Sequence, residues 1–263
     1  VDLRLDRRDD PARHPLLVRL DHLNPSELAI LDGPDWRYSS GQRKEFAMYT
    51  PPVFRDDDKD SLLATIRAAR LATFVTATAE GPLATPLPLF LDETEGEHGV
   101  IHGHLAKANP QWRVPPVGDA LAIFAGPDAY VSPSWYATKQ ETGKVVPTWN
   151  YIAVHAHGPV EFFDDPDRLL EVVTRLTNLH EGERASPWAV SDAPAAFVQA
   201  QLRGIVGLRM PVTRLTGKRK MSQNRNAADR AGVASGLAAS ERASDRAVAP
   251  LIPVEERIGA RHA

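Results

Sequence analysis

The sequence contains no cysteine, which excludes a disulfide framework, a thiolate nucleophile and a cysteine-held iron–sulfur site. No stretch approaches the roughly 18 consecutive apolar residues of a membrane span, and no signal-peptide h-region opens the chain. These absences predict a cytoplasmic protein with no membrane partner. Excess charge of one sign is also missing: the net charge is -3, too small for a global pull toward nucleic acid or an anionic surface. Walker and Rossmann glycine loops and a Ser-His-Asp order are absent, since "GPLATPLPLF" lacks the glycine spacing of either phosphate loop. What remains is ordinary globular composition over 263 residues, 43% apolar and 25% charged, enough for one sizeable domain or two small ones.

Residues 1 to 47 are rich in Asp, Arg and Pro and show no sustained apolar period. The first methionine is Met48, and "RKE" at 43 to 45 can be encoded AGG-AAG-GAG, the form of a bacterial ribosome-binding sequence. A GTG codon would account for Val1. Two readings stand: an upstream region read as protein, or a weakly ordered N-terminal arm.

Regular patterning begins at Met48. "DDDKDSLLATIRAAR" has helical spacing, with aspartates at its positive end. "LATFVTAT", "LATPLPLFLD", "GVIHGHL" and "DALAIFAG" read as strands, and Pro86 and Pro88 confine the second of these to an edge or a ligand-facing position. "VPTWNYIAVHAHGPVEFF" is expected to be the longest β-run, with Ile152, Val154 and Ala156 on one face and Tyr151, His155 and His157 on the other. "DDPDRLLEVVTRLTNLH" is a helix with Asp165 as N-cap and Pro166 at N1. A short helix near 194–202 leads into one strand, "GIVGLRMPVTRL". Two Ala-rich segments, roughly 226–239 and 241–249, read as terminal helices. Antiparallel strands with inserted helices argue a β-barrel or sandwich, and not βαβ units.

Four constellations carry chemistry. His102/His104 and His155/His157 are each two apart on a strand, so each pair shares a face and could hold a metal, as in a cupin-like enzyme. No acid in these strands stands at the usual spacing, and the alternative is polar histidines on a half-buried face. In "GHLAKANPQW", Lys107 and Asn109 follow the strand end, where a lysine beside free N–H groups suits a phosphate; a solvated turn is the alternative. Trp149 and Asn150 open the long strand and could hold a flat heterocycle or pack the core. In "GKRKMSQNR" (217–225), basic residues precede Ser222, Gln223, Asn224 and Arg225, a run suited to a phosphorylated ligand, DNA phosphates or a solvated loop. It lies in a basic region, 203 to 230, holding eight Lys or Arg against one acid, Asp229.

Together, "MYTPPVF" at 48, "GHLAKANPQW", "GPDAYVSPSWY", "VPTWNYIAVHAHG" and "KMSQNR" resemble the PaiB family, bacterial proteins described as FMN-binding negative transcriptional regulators. The resemblance covers Met48 to about Leu251. It implies a mainly β fold: a six-stranded antiparallel FMN-binding split β-barrel, similar to pyridoxamine-phosphate oxidase, with peripheral helices. The domain would span 48–225, and a helical tail, 226–263, would pack on it. The resemblance implies a homodimer with FMN at the subunit interface, and DNA as a partner by the family's description alone. Thr85 to Phe90, including Leu87 and Pro88, would run beside the ring and ribityl chain. His102, Gly103, His104 and Lys107 would fall near the phosphate, with Asn109 beside them. Trp149 and Asn150 would flank the ring, and Lys220, Ser222, Gln223, Asn224 and Arg225 would reach it from the late segment.

Two departures qualify this. Pro86 stands where the family commonly has histidine. Lys220 and Ser222 replace the oxidase arginine and histidine that meet pyridoxal phosphate, so oxidation of a pyridoxamine ester does not follow. An FMN-dependent oxidoreductase of unknown small substrate is the rival reading on the same fold, and a cupin-like metal enzyme is a third. Within 217–225, alternation allows both uses of the run, and the expectation is a division of labour, with Lys218 and Arg219 on solvent or an anionic partner and Lys220 to Arg225 on the flavin. Dimerisation is expected to bury apolar "AYVSPSWY" and "VPTWNY".

Overall fold

The computed structural model describes residues 48–254, so both readings of residues 1–47 lie outside the described residues. The described residues form ten strands and six helices in the order β1 (Arg55–Asp56), α1 (Lys59–Ala68), β2 (Ala72–Thr78), β3 (Gly81–Leu87), β4 (Leu89–Asp92), β5 (Val100–Ala106), β6 (Ala120–Val131), α2 (Thr138–Thr142), β7 (Thr148–Gly158), β8 (Glu161–Phe163), α3 (Pro166–Glu181), α4 (Ala195–Leu202), β9 (Ile205–Pro211), β10 (Arg214–Lys220), α5 (Ala227–Ala238) and α6 (Ala243–Val248). Two antiparallel sheets result, one ordered β1-β10-β7-β6-β2-β3 and one β4-β5-β9-β8. The fold is therefore the expected mainly β architecture with peripheral helices, although its hydrogen bonding is divided between sheets of six and four strands and does not close into one cylinder. No helix among the described residues is long and apolar enough to cross a membrane.

Local chemistry explains where strands change sheet. Pro88 offers no N–H to a ladder, and it is the single residue between β3, at the edge of the six-stranded sheet, and β4, at the edge of the other. The expected single strand "GIVGLRMPVTRL" is two, β9 and β10, because the chain crosses between sheets at Val212 and Thr213, whose N–H groups donate to Gly99 O and His157 O. Gly158 lies at that crossing, where an added Cβ would stand 1.9 Å from Pro211 O. The expected longest run likewise divides into β7 and β8. The longest strand is β6, whose register with β7 slips between Ala125 and Asp128. That bulge accommodates Gly126 and Pro127.

The main core fills the space between the sheets, with Phe74, Ala122, Phe124, Val154 and Ala156 facing Leu89, Ile101, Leu105, Leu208 and Met210. On the far side of the four-stranded sheet, α3 and α4 cover Phe90 and Phe163 with Leu169, Val172, Leu176 and Leu202. Asp165 caps α3 by accepting from the N–H groups of Asp167 and Arg168. Beyond the bulge, α5 and α6 cover Ala129, Val131 and Ile152 with Val233, Leu237 and Val248. The segment "AYVSPSWY" is thus largely packed within the chain, with Tyr130 left exposed, whereas "VPTWNY" buries Asn150 but keeps Val146, Pro147 and Trp149 exposed.

Among the described residues, the opposite face of the six-stranded sheet has no such cover. Two cross-strand rows run over it: Arg214–His157–Leu121–Val75–Ala84 and Thr216–His155–Ile123–Thr73–Pro86. None of Val75, Leu121 or Ile123 belongs to a hydrophobic cluster, and all three keep partial exposure.

Candidate functional site

The residues expected to contact FMN fall into three places, while His155 and His157 lie apart from them at the centre of the open sheet face. The first is the turn after β5. Asn109 caps a short 3-10 helix, Pro110–Arg113, by accepting from the Gln111 N–H, and its amide donates to the Thr85 hydroxyl at 3.0 Å. That hydroxyl donates to Gln111 Oε1 at 2.6 Å, while the Gln111 amide reaches Thr76 Oγ1 and Leu83 O. Thr85 and Asn109 are therefore brought together, and buried Gln111 pins the turn to β2 and β3. Gln111 was not foreseen, although Asn-Pro followed by Gln is a cap-and-N1 signature that places it. Lys107 leaves this turn by another direction: its ammonium pairs with Asp164 at 3.4 Å, half-exposed. Leu87 is buried in the core and Pro88 only half-buried at the crossover.

The second place is the α3 side of the four-stranded sheet. His102 stacks on Phe90 with ring centroids 5.2 Å apart. His104 points the same way, whereas Gly103 faces the core against the Leu89 side chain. Burial lowers the pKa of both histidines, for His102 with help from Arg175. The carboxylates missing from the strand sequence arrive through the fold: ligand atoms of Asp92, Glu95 and His102 lie within 4.8 Å of one another. Both acids are already engaged, Asp92 by Arg175 and Glu95 by Arg209, each at 2.6 Å. A dication there would compete with two guanidinium groups, which disfavours the metal reading.

The third place joins the start of β7 to the turn after β10. Trp149 and Asn150 point oppositely, as strand neighbours must. Trp149 is 48% exposed, and its indole N–H donates to Asp128. Asn150 is fully buried and donates to the Ser222 hydroxyl at 2.9 Å. Ser222 has φ of 60°, a left-handed conformation costly for a residue with a Cβ, and such strain clusters at functional sites. Gln223 closes the turn, donating to Arg219 O and accepting from the Met221 N–H. Asn224 is exposed, and Arg225 lies over the Tyr136 ring at 4.6 Å. The Lys220 ammonium donates to Trp149 O and Thr148 Oγ1.

This third place collects positive charge. Burial lowers the Lys220 pKa, and Lys218 and Arg225 beside it push the same way. Lys218, Lys220 and Arg225 form no ion pair with a described residue. An uncompensated cationic cluster beside an exposed indole fits a molecule that combines a flat ring with an anionic group. The expected outward pair, Lys218 and Arg219, is corrected. Lys218 is 8% exposed, donates to Tyr49 O at 2.8 Å and lies between the Tyr49 and Tyr151 rings. Arg219 pairs with Asp56. They lie on opposite faces of β10: Lys218 is covered by Tyr49 from the segment before β1, and half-exposed Arg219 is held by Asp56 of β1, neighbours the local sequence does not reveal.

Comparison with known proteins agrees with this chemistry. A family described as "Putative FMN-binding domain" matches residues 48–214. The Bacillus subtilis protein named protease synthase and sporulation protein PAI 2 is 34% identical, over 78% of this chain and 96% of its own length. The protein AN0679 of Emericella nidulans is also 34% identical, covering 72% of this chain and 90% of its own. Among solved structures, the flavocytochrome Anf3 of Azotobacter vinelandii shows 15% identity over 63% of this chain and 69% of its own, with a TM-score of 0.44. The family match begins at Met48, where regular patterning begins, and runs through both sheets to the first residue of β10. The chain belongs to the PaiB family of FMN-binding proteins.

Proposed function

We propose that two copies of this chain pair through the bare face of the six-stranded sheet and hold FMN between them. The observation that carries this reading is the separation of the flavin contacts expected from the family resemblance. Thr85 is level with Ala156 three strands away, through Phe74 and Ala122, while Asn150 lies six residues along β7. That is roughly 25 Å along the sheet, from ~3.3 Å per residue and ~4.8 Å per strand. One FMN laid out straight does not span it. A two-fold pairing sets the Thr85–Asn109 end of one copy against the Trp149–Arg225 end of the other and completes two equivalent sites. The face is suited to self-contact, since its centre is Thr73, Val75, Leu121, Ile123 and Ala153, with charge toward β10. Its flat extent is on the order of 500 Å², and its accessible area, which is larger, approaches the ~800 Å² per partner of a standard interface.

In this reading the chain's residues orient and charge-balance the cofactor, and FMN when bound supplies the redox chemistry of its ring. Trp149 offers an aromatic face. Lys220 and Arg225 supply positive charge, and Ser222, held by Asn150, fixes the turn that carries them. Regulation of transcription rests on the family's description. Lys218 is buried and Arg219 is already paired with Asp56, which leaves neither free to follow DNA phosphates. The test is FMN titration of the purified chain, followed by flavin fluorescence and light scattering, with Lys220→Ala/Arg225→Ala as the variant. One FMN per chain on a pair of copies is expected, weakened at least tenfold in the variant. Wild-type chain that stays single with FMN bound refutes the reading.

A further inference from the structure

The bare sheet face carries two histidines at its centre, to which the family resemblance assigns no flavin contact. His155 and His157 lie side by side on β7 with ring centroids 6.3 Å apart. From β6, Ile123 and Leu121 stand directly against them; from β10, Thr216 and Arg214 do. The Arg214 Nη1 and His157 Nε2 atoms are both buried with no partner among the described residues. Asp119, which accepts from Thr213 Oγ1, is the acid that acts on His157, and it opposes the effects of burial, Arg214 and His155. Lys218 and Lys220 lie further along the same face. This patch thus holds one permanent cation and two titratable bases in a surface otherwise lined by Leu, Ile, Thr and Ala.

We propose that His155 and His157 make the pairing of two copies dependent on pH: neutral, they are accepted into the contact; protonated beside Arg214, they part the copies. The inference rests on the self-contact reading above. Burial of a base under a second copy disfavours its charged form. Within the single chain, burial and Arg214 already lower both histidines. The sign follows: the lowered pKa belongs to the paired state, so the contact is at full strength above the ordinary histidine pKa and weakens as pH falls through it. A histidine that titrates near 6.5 when free and stays neutral when paired weakens association about elevenfold at about pH 5.5. Four per pair set an upper bound near 10⁴, and depression already present in the single chain brings the expected loss to at least about tenfold.

The test is sedimentation equilibrium of the whole chain at about pH 8 and about pH 5.5 at fixed ionic strength, with circular dichroism reporting the fold at both. Expected are pairs at the higher pH and a dissociation constant raised at least tenfold at the lower, with the fold retained. His155→Gln/His157→Gln should pair equally at both. Wild-type pairs of unchanged affinity at both pH values overturn the inference and leave the self-contact reading standing. A single chain at both values overturns the two together. A double variant that keeps the full pH dependence assigns it to other groups and overturns the inference as well. Proton NMR of the wild-type histidines adds a readout that needs no variant: at least two must titrate at lower pH in concentrated than in dilute protein, and coincident titrations refute the proposal.

Discussion

Lys107 offers a sharp test of where the FMN phosphate sits. Its ammonium is 39% exposed and already has an anionic partner, Asp164, at 3.4 Å. A phosphate arriving there exchanges a half-exposed carboxylate contact, worth about 0–1 kcal/mol, for a charge-assisted hydrogen bond worth about 1.5–3 kcal/mol. The difference is ~1–2 kcal/mol, so Lys107→Ala should weaken FMN by roughly 5- to 30-fold. Riboflavin, which has no phosphate, should be nearly indifferent. Asp164→Asn removes the competitor and should tighten FMN by up to about fivefold, again sparing riboflavin. The assay is quenching of flavin fluorescence for both ligands against wild type and the two variants. Equal losses for FMN and riboflavin in Lys107→Ala, or no loss for either, would refute Lys107 as the anchor. The phosphate would then be assigned to the cationic cluster of Lys218, Lys220 and Arg225.

Two further outcomes follow from the geometry. Ser222→Ala keeps the left-handed strain and orphans the buried Asn150 amide, costing about 1–3 kcal/mol; Ser222→Gly orphans the same amide but relieves the strain, so it should unfold at higher denaturant than the alanine variant. The order reversed would show that the positive φ is not a strained one. Asp92 accepts from the Thr94 hydroxyl and from Arg175, which together hold its carboxyl well below the usual carboxylate range. Its folded pKa is depressed, so its contribution to stability is full above the unfolded value near 3.9 and is lost as pH falls below that. Chemical denaturation between about pH 3 and 7 should show Asp92→Asn less stable than wild type at neutral pH and converging on it in acid.

Much of this protein was legible along the chain because its determinants are local. Asp165 and Pro166 announce the start of α3, and alternation in "NYIAVHAHG" separates core from outward residues whatever lies against either face. Five ordered motifs were enough to indicate the family. What the sequence left open depends on which strands become neighbours. Whether "GIVGLRMPVTRL" is one strand or two turns on a crossing between sheets, which no local period encodes. Lys218 was expected in solvent and is buried, since Tyr49, far away in sequence, closes over it. His102 lacked an acid at strand spacing, yet pairing with β4 brings Asp92 beside it, and Arg175 from α3 then claims that acid. Tertiary structure also decided which apolar surface is bare among the described residues: the C-terminal helices cover "AYVSPSWY", and the centre of the six-stranded sheet is left open. Strand alternation fixes which side chains share a face, but only long-range packing fixes what, if anything, that face meets.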